Sequence, residues 1–301
     1  MRVGIDIGGS HIGIGLFNDD GDMVKIYEKY IKDKGELSAQ DFITREIITC
    51  LNTWKNEEGI AISSIGIGAP GIIREDMIVS SVNLGIENFK IKDELAIEFP
   101  EAEIKVLNDA KCAALAEKHQ GSLKGFDDCI FLCLGTGIGG AAFLGGKLLK
   151  PNRCAGFEVG HMIIEKSGRP CKCGSNGCYE QYGSMRCFKR TIKERLGLTE
   201  EVDGADLRDI IRLRINDDIV RKTIDEYAEY VCLELTNLVN ILEPQAICLG
   251  GGFVKYRDIL ADVIVEKFNN SKDLFYKENK PKIVLAELEN DAGMIGAALY
   301  I

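Results

Sequence analysis

The chain lacks several things, and each absence removes a class of function. No apolar run reaches the roughly 18 residues that a membrane-spanning helix needs. Met1-Arg2-Val3-Gly4 leads straight into an apolar strand, with no hydrophobic leader or small-residue cleavage site ahead of it. A cytoplasmic protein with no membrane partner is expected. Lys and Arg are interspersed with Asp and Glu, and the formal net charge is −10. No basic stripe is available to a phosphate backbone, so no nucleic-acid partner is expected. The phosphate loop G-x-x-x-x-G-K-[ST] is missing as well: Lys147 follows Gly146, but Ala141 stands five residues before that glycine and Leu148 follows the lysine. Histidine is scarce, with 3 in 301 residues, one of them His161.

What is present is a chain that is 46% hydrophobic and long enough to bury a full core, as two domains or one large one. Its 11 cysteines are an odd number. Cys50, Cys112, Cys129, Cys133, Cys232 and Cys248 fall inside apolar segments, where a free thiol behaves as a small hydrophobe. Three more crowd into "CKCGSNGCYEQ", residues 171–181. Cys171, Cys173 and Cys178, with Gly174 and Gly177 to turn the backbone, could form a disulfide knot, a metal site, or a redox or core cluster. A reducing compartment favours metal over disulfide, and thiolate softness favours zinc over magnesium or calcium.

The sequence also repeats itself. "VGIDIGGSHIGIGLFNDDGDMVKIYEK" (residues 3–29) reads as three antiparallel strands joined by glycine-containing turns, and "CIFLCLGTGIGGAAFLGGKLLK" (129–150) follows the same plan. "SIGIGAPG" (64–71) and "AICLGGG" (246–252) are each a buried strand running into a glycine turn. "NDAKCAALAE" (108–117) and "NDAGMIGAAL" (290–299) each open a small-residue helix after a short strand. Between these elements, Ser38 with Asp41 caps a helix striped by Phe42, Ile43, Ile47, Ile48, Leu51 and Trp54. A longer helix runs from about Asp218 to Leu242, with Val220, Ile224, Tyr227, Val231, Leu235 and Leu238 as its apolar stripe and Glu243-Pro244 as its stop. Two α/β halves of this kind would enclose a cleft onto which their glycine turns face, a usual place for ligands.

Gly8-Gly9-Ser10 and Gly135-Thr136-Gly137-Ile138-Gly139-Gly140 both follow buried strands, and successive N–H groups without intervening Cβ atoms can approach an anion closely. They are expected to cradle phosphates, helped by the hydroxyls of Ser10 and Thr136. Asp6, just before the first turn, could hold a magnesium ion through water, or simply bond nearby N–H groups. Residues 135–140 match G-x-G-x-x-G, but "AAFLGGKLL" follows where a dinucleotide site needs a helix, so that reading is rejected.

With "DIGGSHIGIG", "GIGAPG", "LNDAKCAALAE", "LGTGIGGA", "FEVGHM" and "CKCGSNGCYE" in this order, the chain resembles the ROK family of bacterial sugar kinases, repressors and open reading frames over essentially its whole length. The resemblance implies an α/β, duplicated actin-like (ribonuclease-H-type) fold with two lobes around a central cleft. We expect residues 1–107 plus 288–301 in a small lobe and 108–287 in a large one that carries the zinc loop. It also implies transfer of the γ-phosphate of ATP, with Mg2+, to a hexose. Glucose is the first expectation, and N-acetylmannosamine, N-acetylglucosamine, fructose or allose are alternatives. A catalytically silent sugar sensor and an actin-like structural protein are further alternatives. Family repressors carry a DNA-binding domain ahead of the first glycine turn, whereas here only a few residues precede Asp6, which points to an enzyme.

Residue by residue, the resemblance makes Asp109 the general base. Asn108, Glu158 and Glu180 become hydrogen-bonding partners of the sugar, with Gly71 and Asn83 near it, while Asp291 keeps only a capping role. Gly250, Gly251 and Gly252 would lie against the nucleotide. His161 joins Cys171, Cys173 and Cys178 as ligands of a structural Zn2+, its other ring nitrogen turned to a sugar hydroxyl. A homodimer or homotetramer is implied too. Two departures stand out: Ser10 replaces the usual threonine, and "SSVNLGIENF" (80–89) follows the family's sugar-side stretch only loosely.

Overall fold

A computed structural model describes residues 1–57, 59–150 and 156–301. In chain order they form β1 (Arg2–Ile7), β2 (His11–Phe17), β3 (Met23–Tyr30), α1 (Ala39–Asn52), β4 (Ser64–Ala69), β5 (Ile72–Arg74), β6 (Met77–Ser81), β7 (Ile86–Phe89), α2 (Ile91–Glu98), β8 (Glu103–Asn108) and α3 (Asp109–His119). Then come β9 (Cys129–Leu134), β10 (Ile138–Leu144), β11 (Lys147–Leu148), α4 (Glu180–Gly183), α5 (Met185–Leu196), α6 (Gly204–Leu213), α7 (Asp218–Leu242), β12 (Ala246–Gly250), α8 (Arg257–Asn270), β13 (Lys282–Leu285) and α9 (Ala292–Leu299). No helix among the described residues is long and apolar enough to cross a membrane.

The chain divides into two compact units. The first comprises the described parts of Met1–Lys124, Lys150–Gly156 and Glu287–Ile301, and the second Gly125–Leu149 and Phe157–Ala286. Each is built on a five-stranded sheet, ordered β3-β2-β1-β4-β8 in the first and β11-β10-β9-β12-β13 in the second. The strand senses match as well: β1 is antiparallel to β2 and parallel to β4, as β9 is antiparallel to β10 and parallel to β12, and β8 and β13 close each parallel set. The duplication read from the sequence is therefore a duplication of sheet topology. The first unit adds a small antiparallel sheet, β5-β6-β7.

The central strands are apolar along their whole length because parallel strands covered on both faces have no solvent side. Every residue of β4 and β12 is buried. Helix α1 begins where expected, with Ser38 Oγ accepting the Asp41 N–H at 3.0 Å, and its stripe lies in the first core except for half-buried Ile48. Helix α7 spans Asp218–Leu242, all six stripe residues are buried, and Glu243 ends it in the left-handed conformation.

The small-residue helices explain themselves in packing. A Cβ on Gly4 would stand 2.0 Å from the Met294 carbonyl oxygen, and one on Gly66 1.9 Å from that of Ala297, so α9 lies directly on β1 and β4. A Cβ on Gly296 would meet the Cys112 carbonyl oxygen at 1.7 Å, which presses α9 equally close to α3. Helix α3, expected with the second lobe, accordingly lies within the first unit, whose first stretch runs on to Lys124.

Near the end of α3 lies Glu117, fully buried. Its carboxylate accepts the Ser122 N–H (2.9 Å) and hydroxyl (3.1 Å) and the N–H groups of Glu287 and Leu288 (2.9 Å each). Four donors compensate the desolvation of one carboxylate and tie the returning C-terminal segment to α3.

Candidate active site

In the first unit the parallel strands β1, β4 and β8 end together, and the residues singled out above sit at those ends. Ligands of open α/β sheets gather at the carboxyl ends of parallel strands. Asp6 lies near the end of β1, Gly71 just past β4, and Asn108 is the last residue of β8. Asn108 is the cap of α3: its Oδ1 accepts the N–H groups of Ala110 (3.1 Å) and Lys111 (3.3 Å). Its Nδ2 donates to the Gly71 carbonyl at 3.3 Å. Gly71 itself has φ +105°, and a Cβ there would stand 2.1 Å from the Ser80 carbonyl oxygen, so no other residue fits.

Asp109, the first residue of α3, follows this cap directly and shares the Ala110 N–H with it. Asp109 Oδ1 accepts the Ala110 N–H at 2.8 Å. Its charge also reaches Asp6, whose carboxyl is pushed up to about 7, chiefly by burial and then by repulsion from Asp109. Burial, with these two carboxylates beside it, likewise drives the Cys112 thiol far up. The twin residue behaves differently from its expected role. Asp291 makes no side-chain cap bond and has helical φ and ψ, because a short 3-10 turn, Glu289–Asp291, leads into α9.

The first glycine turn is a hairpin whose Gly8 N–H is already bonded to the His11 carbonyl (2.9 Å), and Ser10 receives the Ile31 N–H at its own carbonyl (2.8 Å). Only the Gly9 and Ser10 amides of this turn have no acceptor among the described residues. Gly9 faces the turn between β6 and β7, where exposed Asn83 sits: a Cβ on Gly9 would come 4.0 Å from that of Asn83.

In the second unit the matching turn is shorter than expected. Gly135 N–H bonds to the Gly137 carbonyl (2.9 Å), and β10 begins at Ile138. Gly139 is therefore a strand residue opposite Cys133, not part of a loop, and the strand confirms that no helix follows the G-x-G-x-x-G stretch. Gly250 ends β12, and Gly251 opens a 3-10 helix, Gly251–Tyr256. A Cβ on Gly252 would lie 3.8 Å from the Gly135 Cα, so the two glycine segments adjoin.

His161, Cys171, Cys173 and Cys178 converge: one ligand atom from each lies within 4.8 Å of all the others. Cys173 and Cys178 sulfurs are 3.6 Å apart, and Cys171 Sγ is 3.8 Å from His161 Nδ1. Tetrahedral zinc with bonds of about 2.3 Å to sulfur separates its ligands by about 3.7 Å, so the donor set and spacing fit that ion. The ten cysteines among the described residues are all free thiols, which excludes a disulfide knot at 171–178; Cys154 lies outside them. The Ser175 backbone and the neighbouring thiols hold the Cys173 thiol below its ordinary value, whereas burial, followed by the same neighbours, pushes Cys178 up to about 12. Gln181 Nε2 supports the cluster with a bond to Cys171 Sγ at 3.6 Å.

Glu158 is exposed, and its carbonyl accepts the His161 N–H at 3.0 Å, forming the turn Val159–His161. That turn backs onto the start of β10, just past the glycine turn, since a Cβ on Gly160 would stand 2.3 Å from the Ile138 carbonyl oxygen. Glu180 is more engaged than sequence reasoning indicated: Oε2 accepts the Ile138 N–H at 3.1 Å and Oε1 the Arg186 Nη2 at 3.3 Å. Arg186 and Glu117 were missed altogether. The only signals for them were an acid within an apolar helix and a base near the start of another.

Two α/β units with one strand order, each with a glycine turn at the carboxyl end of its parallel strands, define a protein of the duplicated actin-like class. A family model described as the ROK family matches residues 2–301, and the chain belongs to that family. It is 31% identical over 317 residues to a glucokinase of Halalkalibacterium halodurans, covering 99% of this chain and 94% of that protein. An N-acetylgalactosamine kinase of a Shewanella species is 30% identical over 316 residues, covering 99% and 96%. The crystal structure of a ROK family glucokinase from Streptomyces griseus, in complex with glucose and AMPPNP, matches with a TM-score of 0.80 at 28% identity, covering 99% of this chain and 98% of that one.

Proposed function

We propose that this protein is an ATP-dependent hexose kinase, with glucose as its first substrate and Asp109 as its general base. The observation that carries the reading is the meeting, at one edge of the first sheet, of a glycine turn with unengaged amides, the Asp6 and Asp109 carboxylates and Asn108. Glycine-turn amides suit a polyphosphate, and a carboxylate positioned at a helix start suits a hydroxyl proton. Family membership and the glucokinase relatives support the same reading.

Phosphoryl transfer asks the protein for position, charge neutralisation and a proton acceptor. In the proposed reaction Asp109 takes the proton of a hexose hydroxyl as that oxygen bonds to the γ-phosphorus and the bond from phosphorus to the bridging oxygen of ADP breaks. Asn108, Glu158, Glu180 and the outward nitrogen of His161 bond the other hydroxyls, beside Gly71 and Asn83. The turns at Gly8–Ser10 and Gly135–Gly137, with Gly250–Gly252, hold the nucleotide. Asp6 would hold hydrated Mg2+, which neutralises phosphate charge when bound. His161, Cys171, Cys173 and Cys178 would hold Zn2+, which fixes the loop and the histidine tautomer.

A coupled ADP-release assay over glucose, N-acetylglucosamine, N-acetylmannosamine, N-acetylgalactosamine, fructose and allose tests this. Glucose-dependent release is expected. Release with another sugar would reassign the substrate, and hexose binding with no release would mean a sugar sensor.

A further inference from the structure

We propose that Arg186 is a positioning residue that fixes the Glu180 carboxylate against the Gly135–Ile138 turn and so couples nucleotide binding to hexose binding. The inference rests on the kinase reading above and assigns a role to a residue outside that reading's set.

Three bonds close a ring. The Arg186 backbone N–H donates to the Gly135 carbonyl at 3.3 Å. Its guanidinium donates to Glu180 Oε1 at 3.3 Å, and Glu180 Oε2 accepts the Ile138 N–H at 3.1 Å. There is no slack on the glycine side, because a Cβ on Gly137 would stand 2.4 Å from Glu180 Oε2. The Glu180 side chain is largely shielded, at 14% exposed against 37% for that of Arg186, which sets the pair apart from one between two fully solvated side chains.

Arg186 also goes against its local environment. It is the second residue of α5, whose first turn carries no acid, and a cation there faces the positive end of the helix dipole. A residue that breaks a local rule is explained by what it does in the tertiary site, and among the described residues the acid that compensates it is Glu180. A hexose hydroxyl that bonds Glu180 Oε1 must share that oxygen with Arg186 or displace it. The arginine is joined through its own amide to Gly135, so sugar occupancy is transmitted to the turn that holds phosphates.

The test measures KM for hexose and ATP, kcat, and the affinity for a non-hydrolysable ATP analogue with and without hexose, in wild type, Arg186→Ala and Arg186→Lys. Arg186→Ala is expected to raise both KM values about tenfold, within the usual range of coupling between sites. Its kcat should stay within about threefold, and the hexose effect on analogue affinity should fall towards none. Lysine keeps the charge without the fork and should recover part of each effect. Unchanged KM values and unchanged coupling would overturn the proposal. So would equal losses in both variants that track a lowered melting temperature and metal content. If wild type phosphorylates no sugar of the panel, the kinase reading fails separately. Weaker analogue binding by Arg186→Ala would still support the positioning of the Gly135 turn, and unaltered binding would refute it.

Discussion

The two carboxylates of the first unit illustrate how a few ångströms of environment separate chemically identical groups. Asp109 is the first residue of a helix capped by Asn108 and accepts the Ala110 N–H. Asp6 is desolvated beside it and held near neutrality. Replacing Asp109 by Asn is expected to lower kcat by at least 10²- to 10⁴-fold, the usual worth of a positioned base. Hexose affinity by calorimetry and the melting temperature should stay close to wild type; retained turnover would remove Asp109 from the base role. Asp6 gives a pH signature. Its folded pKa, about 7, lies above the unfolded value near 4, so between these pH values the folded state binds the extra proton. In chelator-treated protein its contribution to stability falls as pH rises from about 4 to about 7. Asp6→Asn should raise the melting temperature at pH 8 but not at pH 4, a contrast that a thermal series over pH resolves.

At the scale of elements, the loop from His161 to Cys178 has almost no regular structure of its own. Isolated bridges pair Ile163 with Cys178 and Pro170 with Asn176, and the ligand atoms sit where a closed four-coordinate ion would place them. With so little buried apolar surface, such a loop takes much of its order from a bound cation. Cys171→Ser is expected to release about one equivalent of zinc by elemental analysis, lower the melting temperature and raise the hexose KM through His161. A full metal content with an unchanged melting temperature would contradict this. The thiol spacing was legible in the sequence because the three cysteines lie within eight residues of one another. Engagement of Glu180 by Ile138 was not, since that bond joins positions 42 residues apart.

For the whole molecule, the informative feature is the return of the chain to its first unit after β13. Helix α9 lies on β1 and β4 with backbone contact at Gly4 and Gly66, and Glu117 bonds the amides of Glu287 and Leu288 from within α3. Glu117→Gln turns an amide N–H₂ toward these donors, and orphaning buried N–H groups costs about 1–3 kcal/mol each. A loss of that order in unfolding free energy is expected, read as a lower denaturant midpoint at unchanged slope. Gly66→Ala should be as damaging, because backbone rather than a flexible side chain blocks its Cβ.

Local pattern alone determined much of this protein. Apolar runs and glycine turns marked the strands, the cap and stripe marked α1 and α7, and their recurrence disclosed the duplication, because each signal lies within a few residues of chain. Tertiary structure decided the rest. It left Asp291 without a capping bond, put Gly139 in a strand, and placed α3 with the first unit. These outcomes depend on burial and on hydrogen bonds between distant positions, up to the 170 and 171 residues that separate Glu117 from the amides it holds. Two stretches as alike as 108–117 and 290–299 therefore acquire different roles only from what is packed around them.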